Sequence, residues 1–139
     1  MAIKLSILPH QTQCLMRISK VFEGVHLHMT DNIFSNPVFD ANNTKLKDNI
    51  AQIQEGFEGN IIARDLRTSV PNEFGIDVRM ETGTGKTYCY TRLMYELNKK
   101  YGFHKFIILV PTTPIKEGTK SFIESDYANS HFLDLYPDK

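Results

Sequence analysis

Apolar residues recur at helical spacing in two stretches of the first half of the chain. From Gln11 to Phe22, the side chains of Leu15, Ile18 and Phe22 fall on one face with Met16 beside them; Pro9 precedes the run and Gly24 closes it. Lys45 to Phe57 places Leu46, Ile50, Ile53 and Phe57 at spacings of four, three and four, which predicts a second amphipathic helix. Between them, Val25-His26-Leu27-His28-Met29 alternates as a short strand does, and 30–43, rich in Asp, Asn and Ser around Pro37, has loop composition. A further strand or irregular stretch is expected through Ile61 and Ile62, broken by Ser69-Val70-Pro71-Asn72.

The second half follows a different pattern. Phe74-Gly75-Ile76-Asp77-Val78-Arg79-Met80 alternates apolar and polar residues, which predicts a strand, and Thr87 to Tyr101 returns to helical spacing. Lys99 and Lys100 suit the last turn of that helix and Gly102 suits a left-handed cap. Lys105-Phe106-Ile107-Ile108-Leu109-Val110-Pro111 is apolar on consecutive positions, which predicts a strand buried on both faces, as in a parallel sheet covered by helices. Pro114 to Phe122 predicts the next helix. Beyond Ser125 the chain is polar and turn-like, with Phe132, Leu133, Leu135 and Tyr136 interspersed, and no element is assigned. Strand, loop, helix, strand is a βαβ unit with an expected right-handed crossover, so the expected class is α/β.

Composition narrows the picture little. The chain has 139 residues, enough for one domain with a real core. Sixteen Lys and Arg balance sixteen Asp and Glu, so any nucleic-acid contact must come from a local surface. Cys14 and Cys89 have no metal-ligand spacing and read as small buried hydrophobes of a cytosolic protein. His26 and His28 share one side of their strand, but with no third ligand nearby they read as solvent-facing imidazoles. No apolar run has the length to span a bilayer and Met1-Ala2-Ile3-Lys4 lacks a signal-peptide core, so the expected location is cytoplasmic, with no membrane partner.

The chemistry lies between the expected strand at 74–80 and the expected helix from Thr87. Glu81-Thr82-Gly83-Thr84-Gly85-Lys86-Thr87 is a phosphate-binding loop in sequence. Gly83 and Gly85 permit backbone conformations closed to residues with a Cβ, so successive N–H groups of Thr82 to Thr87 can turn inward around phosphate oxygens. Lys86 supplies a compact charge for the β and γ phosphates of ATP, and the Thr87 hydroxyl is placed to ligate the bridging Mg²⁺. The match to the general pattern is partial, because Met80 stands where a first glycine is usual. A plain glycine turn between strand and helix is the bland alternative.

Val78 to Tyr90, read as V-R-M-E-T-G-T-G-K-T-Y-C-Y, resembles motif I of the restriction subunit of type III restriction-modification enzymes, a branch of the superfamily 2 helicase-like ATPases. A methionine-glutamate pair before T-G-T-G-K-T is usual in that family, so the resemblance makes Met80 a family feature. Phe106 to Gly118, read as F-I-I-L-V-P-T-T-P-I-K-E-G, is similar to motif Ia, where a strand ends in V-P and the following loop and helix contact the nucleic-acid backbone. That implies phosphate contacts from Thr112, Thr113 and Lys116; caps and a solvated lysine are the ordinary alternative. Pro9-His10-Gln11-Thr12-Gln13-Cys14-Leu15 with Val21-Phe22-Glu23-Gly24 is similar to the upstream glutamine motif, whose glutamine reads the adenine edge. Gln11 aligns best and Gln13 is the alternative.

The resemblance covers Leu8 to about Gly118. It implies an incomplete RecA-like P-loop NTPase domain, a parallel sheet with flanking helices, with 1–139 as the N-terminal part of the first RecA-like domain. In it, 1–70 carries the upstream helices with the glutamine motif and 71–124 the βαβ core with motifs I and Ia. It implies Lys86 and Thr87 as catalytic residues, and Thr82, Gly83, Thr84, Gly85, Lys86, Thr87 and Gln11 as the ATP-binding set. It further implies Mg²⁺ on Thr87, double-stranded DNA and a methyltransferase (Mod) subunit as partners, and DNA translocation and cleavage by the full-length enzyme. No D-E-x-x box follows motif Ia, and Glu124 to Asp126 and Asp134 do not supply one. A second lobe with its arginine finger and a nuclease domain are also missing, so the expectation is a fragment that binds nucleotide with negligible turnover. Two further readings stand beside this one: a fragment of another superfamily 2 helicase, and a non-catalytic nucleotide-binding remnant of a broken gene.

Overall fold

The computed structural model describes residues 5–32, 34–55 and 75–137. Five helices are formed among them: α1 (Pro9–Lys20), α2 (Thr44–Glu55), α3 (Lys86–Tyr101), α4 (Thr113–Ile123) and α5 (Asp126–Leu135). Pro9 occupies the first turn of α1, where its missing N–H costs nothing, and the Gln11 side chain reaches back to accept the Leu8 N–H at 3.3 Å. The helix stops at Lys20, two residues before the expected Phe22, yet Val21 and Phe22 are still buried as the chain turns over Gly24. Met16, expected beside the apolar face, is exposed.

The start of α2 is fixed by Asn43, whose Oδ1 accepts the Lys45 N–H at 2.8 Å. Leu46 and Ile50 are buried and Ile53 is half-buried, as their spacing predicts. Phe57, Ile61, Ile62, the 69–72 break and Phe74 lie outside the described residues. The Asn49 amide donates to Val21 O at 2.9 Å and Glu23 O at 2.8 Å, tying α2 to the carbonyls at the end of α1.

Two apolar clusters lie along α3. At its C-terminal end Leu97 and Tyr101 pack against Val21, Phe22, Val25, Leu46, Ile50 and Phe103. At its N-terminal end Tyr88 and Tyr95 pack with Ala128, Phe132 and Tyr136. The second cluster is aromatic: Phe132 lies 5.4 Å from the Tyr88 ring and 5.1 Å from the Tyr95 ring, centroid to centroid. The segment past Ser125, expected to be turn-like, is therefore a helix. Ser125 caps it by accepting the Ala128 N–H, and Ala128 and Phe132, four positions apart, are its buried stripe.

The expected parallel sheet is not seen among the described residues, which form no strand. Residues 75–80 and 103–110 carry no ladder, and the run expected to be buried on both faces is open, with Ile107 88% and Leu109 90% exposed. The physical reason is the lack of a partner, since a strand exists only by pairing its backbone N–H and C=O groups with a neighbour, and among the described residues none pairs with these segments. What holds the start of the second segment is a side chain: Asn36 Oδ1 accepts from the His104 and Lys105 N–H groups, each at 2.9 Å, and its amide donates to Lys105 O at 2.8 Å. The strand expected at 25–29 shrinks to one antiparallel bridge, His28 with Val38. Among the described residues no helix is long and apolar enough to cross a membrane.

Candidate nucleotide-binding site

The loop before α3 takes the shape that its glycines allow. Gly83 has φ +81° and Gly85 φ +82°, both in the left-handed region that favours glycine, and the helix begins directly after them at Lys86. A Cβ at Gly83 would meet nothing within 4 Å, so that side of the loop is open to a ligand. Thr84 Oγ1 donates to Glu81 O at 2.7 Å and Lys86 Nζ to the same oxygen at 2.6 Å. The lysine charge thus lies over the mouth of the loop, on the surface, and can exchange a carbonyl for a more negative oxygen. Thr87, half-buried, begins the first full turn of α3, whose positive end faces the loop. Backbone N–H donors, an ammonium and a hydroxyl form a donor set suited to a triphosphate with Mg²⁺.

Gln11 meets this loop from α1. It is only 4% exposed, and its Nε2 donates to Thr84 O at 3.2 Å while Oε1 holds the Leu8 N–H. His10 Nε2 lies 3.0 Å from the same Thr84 oxygen and donates to it. Gln13, the alternative for the glutamine motif, is exposed on the opposite side of the helix. The structure therefore brings Gln11 against Thr84 and Gly85 of the loop, and adds His10, a residue of the glutamine motif to which the resemblance assigns no role.

Further along, α3 is braced against α1 and α5 by a polar network that sequence periodicity does not reveal. Arg92 reaches Thr12 Oγ1 and the Tyr136 hydroxyl, each at 3.4 Å, and Tyr136 donates to Glu96 at 2.8 Å. Burial works against ionisation of Glu96, yet the hydrogen bonds from Tyr136 and Lys100 outweigh it and hold its carboxyl below the usual range. Lys100 also donates to Ser19 Oγ at 3.0 Å and Tyr101 to Ser19 O at 2.6 Å, so α3 is tied to α1 along its whole length. Cys89 is buried, and burial, with Cys14 alongside, pushes its thiol up to about 12. It is an inert packing group.

Thr112, Thr113 and Lys116 gather at the start of α4, all exposed. Thr112 is the N-cap residue, but its hydroxyl makes no capping bond, so the ordinary cap reading does not account for it. Lys116 lines a shallow hollow of about 230 Å³ with Ile108, Val110 and Ile123. His26 and His28 are exposed with their rings edge to face at 4.3 Å, and the described residues contain no group of three metal-ligating side chains.

The sequence profile of the family described as Type III restriction enzyme, res subunit, matches residues 4–133. Similar curated proteins include the type III restriction-modification enzyme StyLTI Res subunit of Salmonella typhimurium, 43% identical over 137 residues, which are 98% of this chain and 11% of that protein. A type III Res subunit of Escherichia coli is 41% identical over 133 residues, 93% of this chain and 13% of its own length. The EcoPI Res subunit of Escherichia phage P1 is 42% identical over 135 residues, again 93% of this chain and 13% of the relative. The chain thus spans only about an eighth of the length of these relatives.

Proposed function

This chain belongs to the family of type III restriction enzyme res subunits, and from that premise we propose that its loop from Thr82 to Thr87 holds the phosphates of ATP for a DNA-translocating restriction endonuclease. Family membership carries a helicase-like P-loop NTPase fold. The observation that supports the site is the pair of left-handed glycines running into α3, with Lys86 and Thr84 both drawn onto Glu81 O. Lys86 neutralises the β and γ phosphates, backbone N–H groups of the loop donate to their oxygens, and Thr87 contributes a ligand to Mg²⁺. Mg²⁺ held there by the Thr87 hydroxyl would offset the charge of the phosphates. Gln11 retains one amide hydrogen and one lone pair beyond its bonds to Thr84 and Leu8, the donor and acceptor that an adenine edge requires.

Residues 75–80 and 105–110 are, in this reading, strands of a parallel sheet whose remaining strands belong to a longer protein, which accounts for the exposed faces of Ile107 and Leu109. Thr112, Thr113 and Lys116, at the end of the second segment, hold the DNA backbone without reading sequence. The longer protein works in the cytoplasm with a methyltransferase (Mod) subunit on double-stranded DNA, hydrolysing ATP to move along it and cutting it through a nuclease domain.

Lys86→Ala is expected to weaken ATP binding in the presence of Mg²⁺ by about 10- to 100-fold, the size of a lost charge-assisted bond. Isothermal titration calorimetry checks this, and equal affinity for the parent chain and the variant would refute the phosphate assignment. For the DNA surface, affinity for a duplex of arbitrary sequence is expected to fall with salt, and Lys116→Ala to reduce the slope of log affinity against log salt by about one. A slope untouched by the substitution removes Lys116 from the interface.

A further inference from the structure

Two side chains in the first turn of α1 converge on one carbonyl of the phosphate loop. His10 Nε2 donates to Thr84 O at 3.0 Å and Gln11 Nε2 donates to it at 3.2 Å. A carbonyl oxygen has two lone pairs and accepts both. The peptide joining Thr84 to Gly85 is trans and planar, so drawing its C=O toward α1 turns the Gly85 N–H to the opposite side, away from α1. Gly85 is the N-cap of α3, where backbone N–H groups carry the positive end of the helix dipole. Left to itself, a peptide plane ahead of a glycine is easily rotated, since glycine accepts either sign of φ. The orientation of this donor therefore depends on what grips the carbonyl behind it.

Resting on the reading of this loop as an ATP site, we propose that His10 is a positioning residue: with Gln11 it fixes the Thr84–Gly85 peptide so that the Gly85 N–H is presented to a phosphate oxygen. The two residues differ in what else they do. Gln11 is buried and also caps α1 through Leu8 N, so removing it disturbs packing as well as the loop. His10 is exposed and belongs to neither apolar cluster, so its truncation removes one hydrogen bond and leaves the core intact. The bond requires the imidazole to carry hydrogen on Nε2, and an amide of similar reach can replace it.

The test compares the whole chain with its His10→Ala, His10→Gln and Lys86→Ala variants by calorimetric titration with ATP and Mg²⁺, and separately with inorganic tripolyphosphate. His10→Ala is expected to weaken both ligands by the same factor, about threefold to tenfold, with the ligand-free melting temperature lowered by no more than a few degrees. His10→Gln is expected to return both affinities to within about twofold of the parent. If His10→Ala binds both ligands as tightly as the parent while Lys86→Ala does not, His10 has no positioning role and the ATP site stands. A loss confined to ATP, with tripolyphosphate unaffected, would also overturn the proposal, because the contact would then concern the base. A fall in melting temperature that His10→Gln does not repair would make the role purely structural. If Lys86→Ala binds both ligands like the parent, the underlying phosphate reading fails instead.

Discussion

Gly85→Ala is expected to destabilise the chain and to remove nucleotide binding together, whereas Gly83→Ala, two residues earlier, is expected to be far milder. Both glycines have φ near +80°, so both substitutions pay the left-handed penalty of about 1–2 kcal/mol. Only at Gly85 would the new Cβ run into a side chain, the Gln11 amide. That amide is the end of a rotatable side chain, but it is buried and bonded at both ends, so moving it sacrifices its bonds to Thr84 O and Leu8 N. The buried polar group left unsatisfied costs roughly 1–3 kcal/mol more, for a total of about 2–5 kcal/mol. Urea unfolding of the two variants measures the difference. Equal losses at both positions would mean that Gln11 yields without cost and that its packing against the loop is incidental.

The largest purely structural effect is expected at Phe132. Its side chain is 1% exposed at the centre of the aromatic cluster, in contact with the rings of Tyr88, Tyr95 and Phe122. Phe132→Ala should cost about 3–5 kcal/mol through lost burial and the cavity that remains, enough to undock α5 from α3 in a small protein. Denaturant melts followed by circular dichroism give the number; a loss below about 1 kcal/mol would show that α5 contributes little to the fold. The effect bears on the site as well, since Tyr88 is in the first turn of α3, two residues past Lys86.

What was legible in the sequence was what is decided locally. The apolar spacing of α1, α3 and α4 placed their ends within two residues and that of α2 its start within one, and the Gly102 cap fell where its left-handed φ of +77° is found. The turn before α3 was legible for the same reason: Gly83 and Gly85 take their left-handed φ within three residues of one another, and the helix follows at once. Strands were not, because a strand exists only through a neighbour that may lie anywhere along the chain. Alternation at 75–80 and the apolar run at 105–110 signal a preference for being paired, and these segments are unpaired here. The fifth helix was missed because its buried stripe is only Ala128 and Phe132, with Asn129, Ser130 and Asp134 breaking up the surrounding pattern. His10 was visible within the glutamine motif, but nothing in a one-dimensional reading says that it meets Thr84.

That meeting joins positions 74 apart in the chain, and the glutamine beside it spans 73. A polypeptide carrying the whole T-G-T-G-K-T string but lacking its first helix would hold the letters of the motif without the grip that shapes it. On the proposed reading of the loop as an ATP site, the docking of α1 on α3 and the affinity for nucleotide are thermodynamically linked, since a ligand that binds only the docked form stabilises that form by mass action. A substitution remote from the phosphates that loosens α1 will register as weaker binding, and saturating nucleotide will mask it. Affinity and tertiary stability at this locus are one equilibrium seen from two sides.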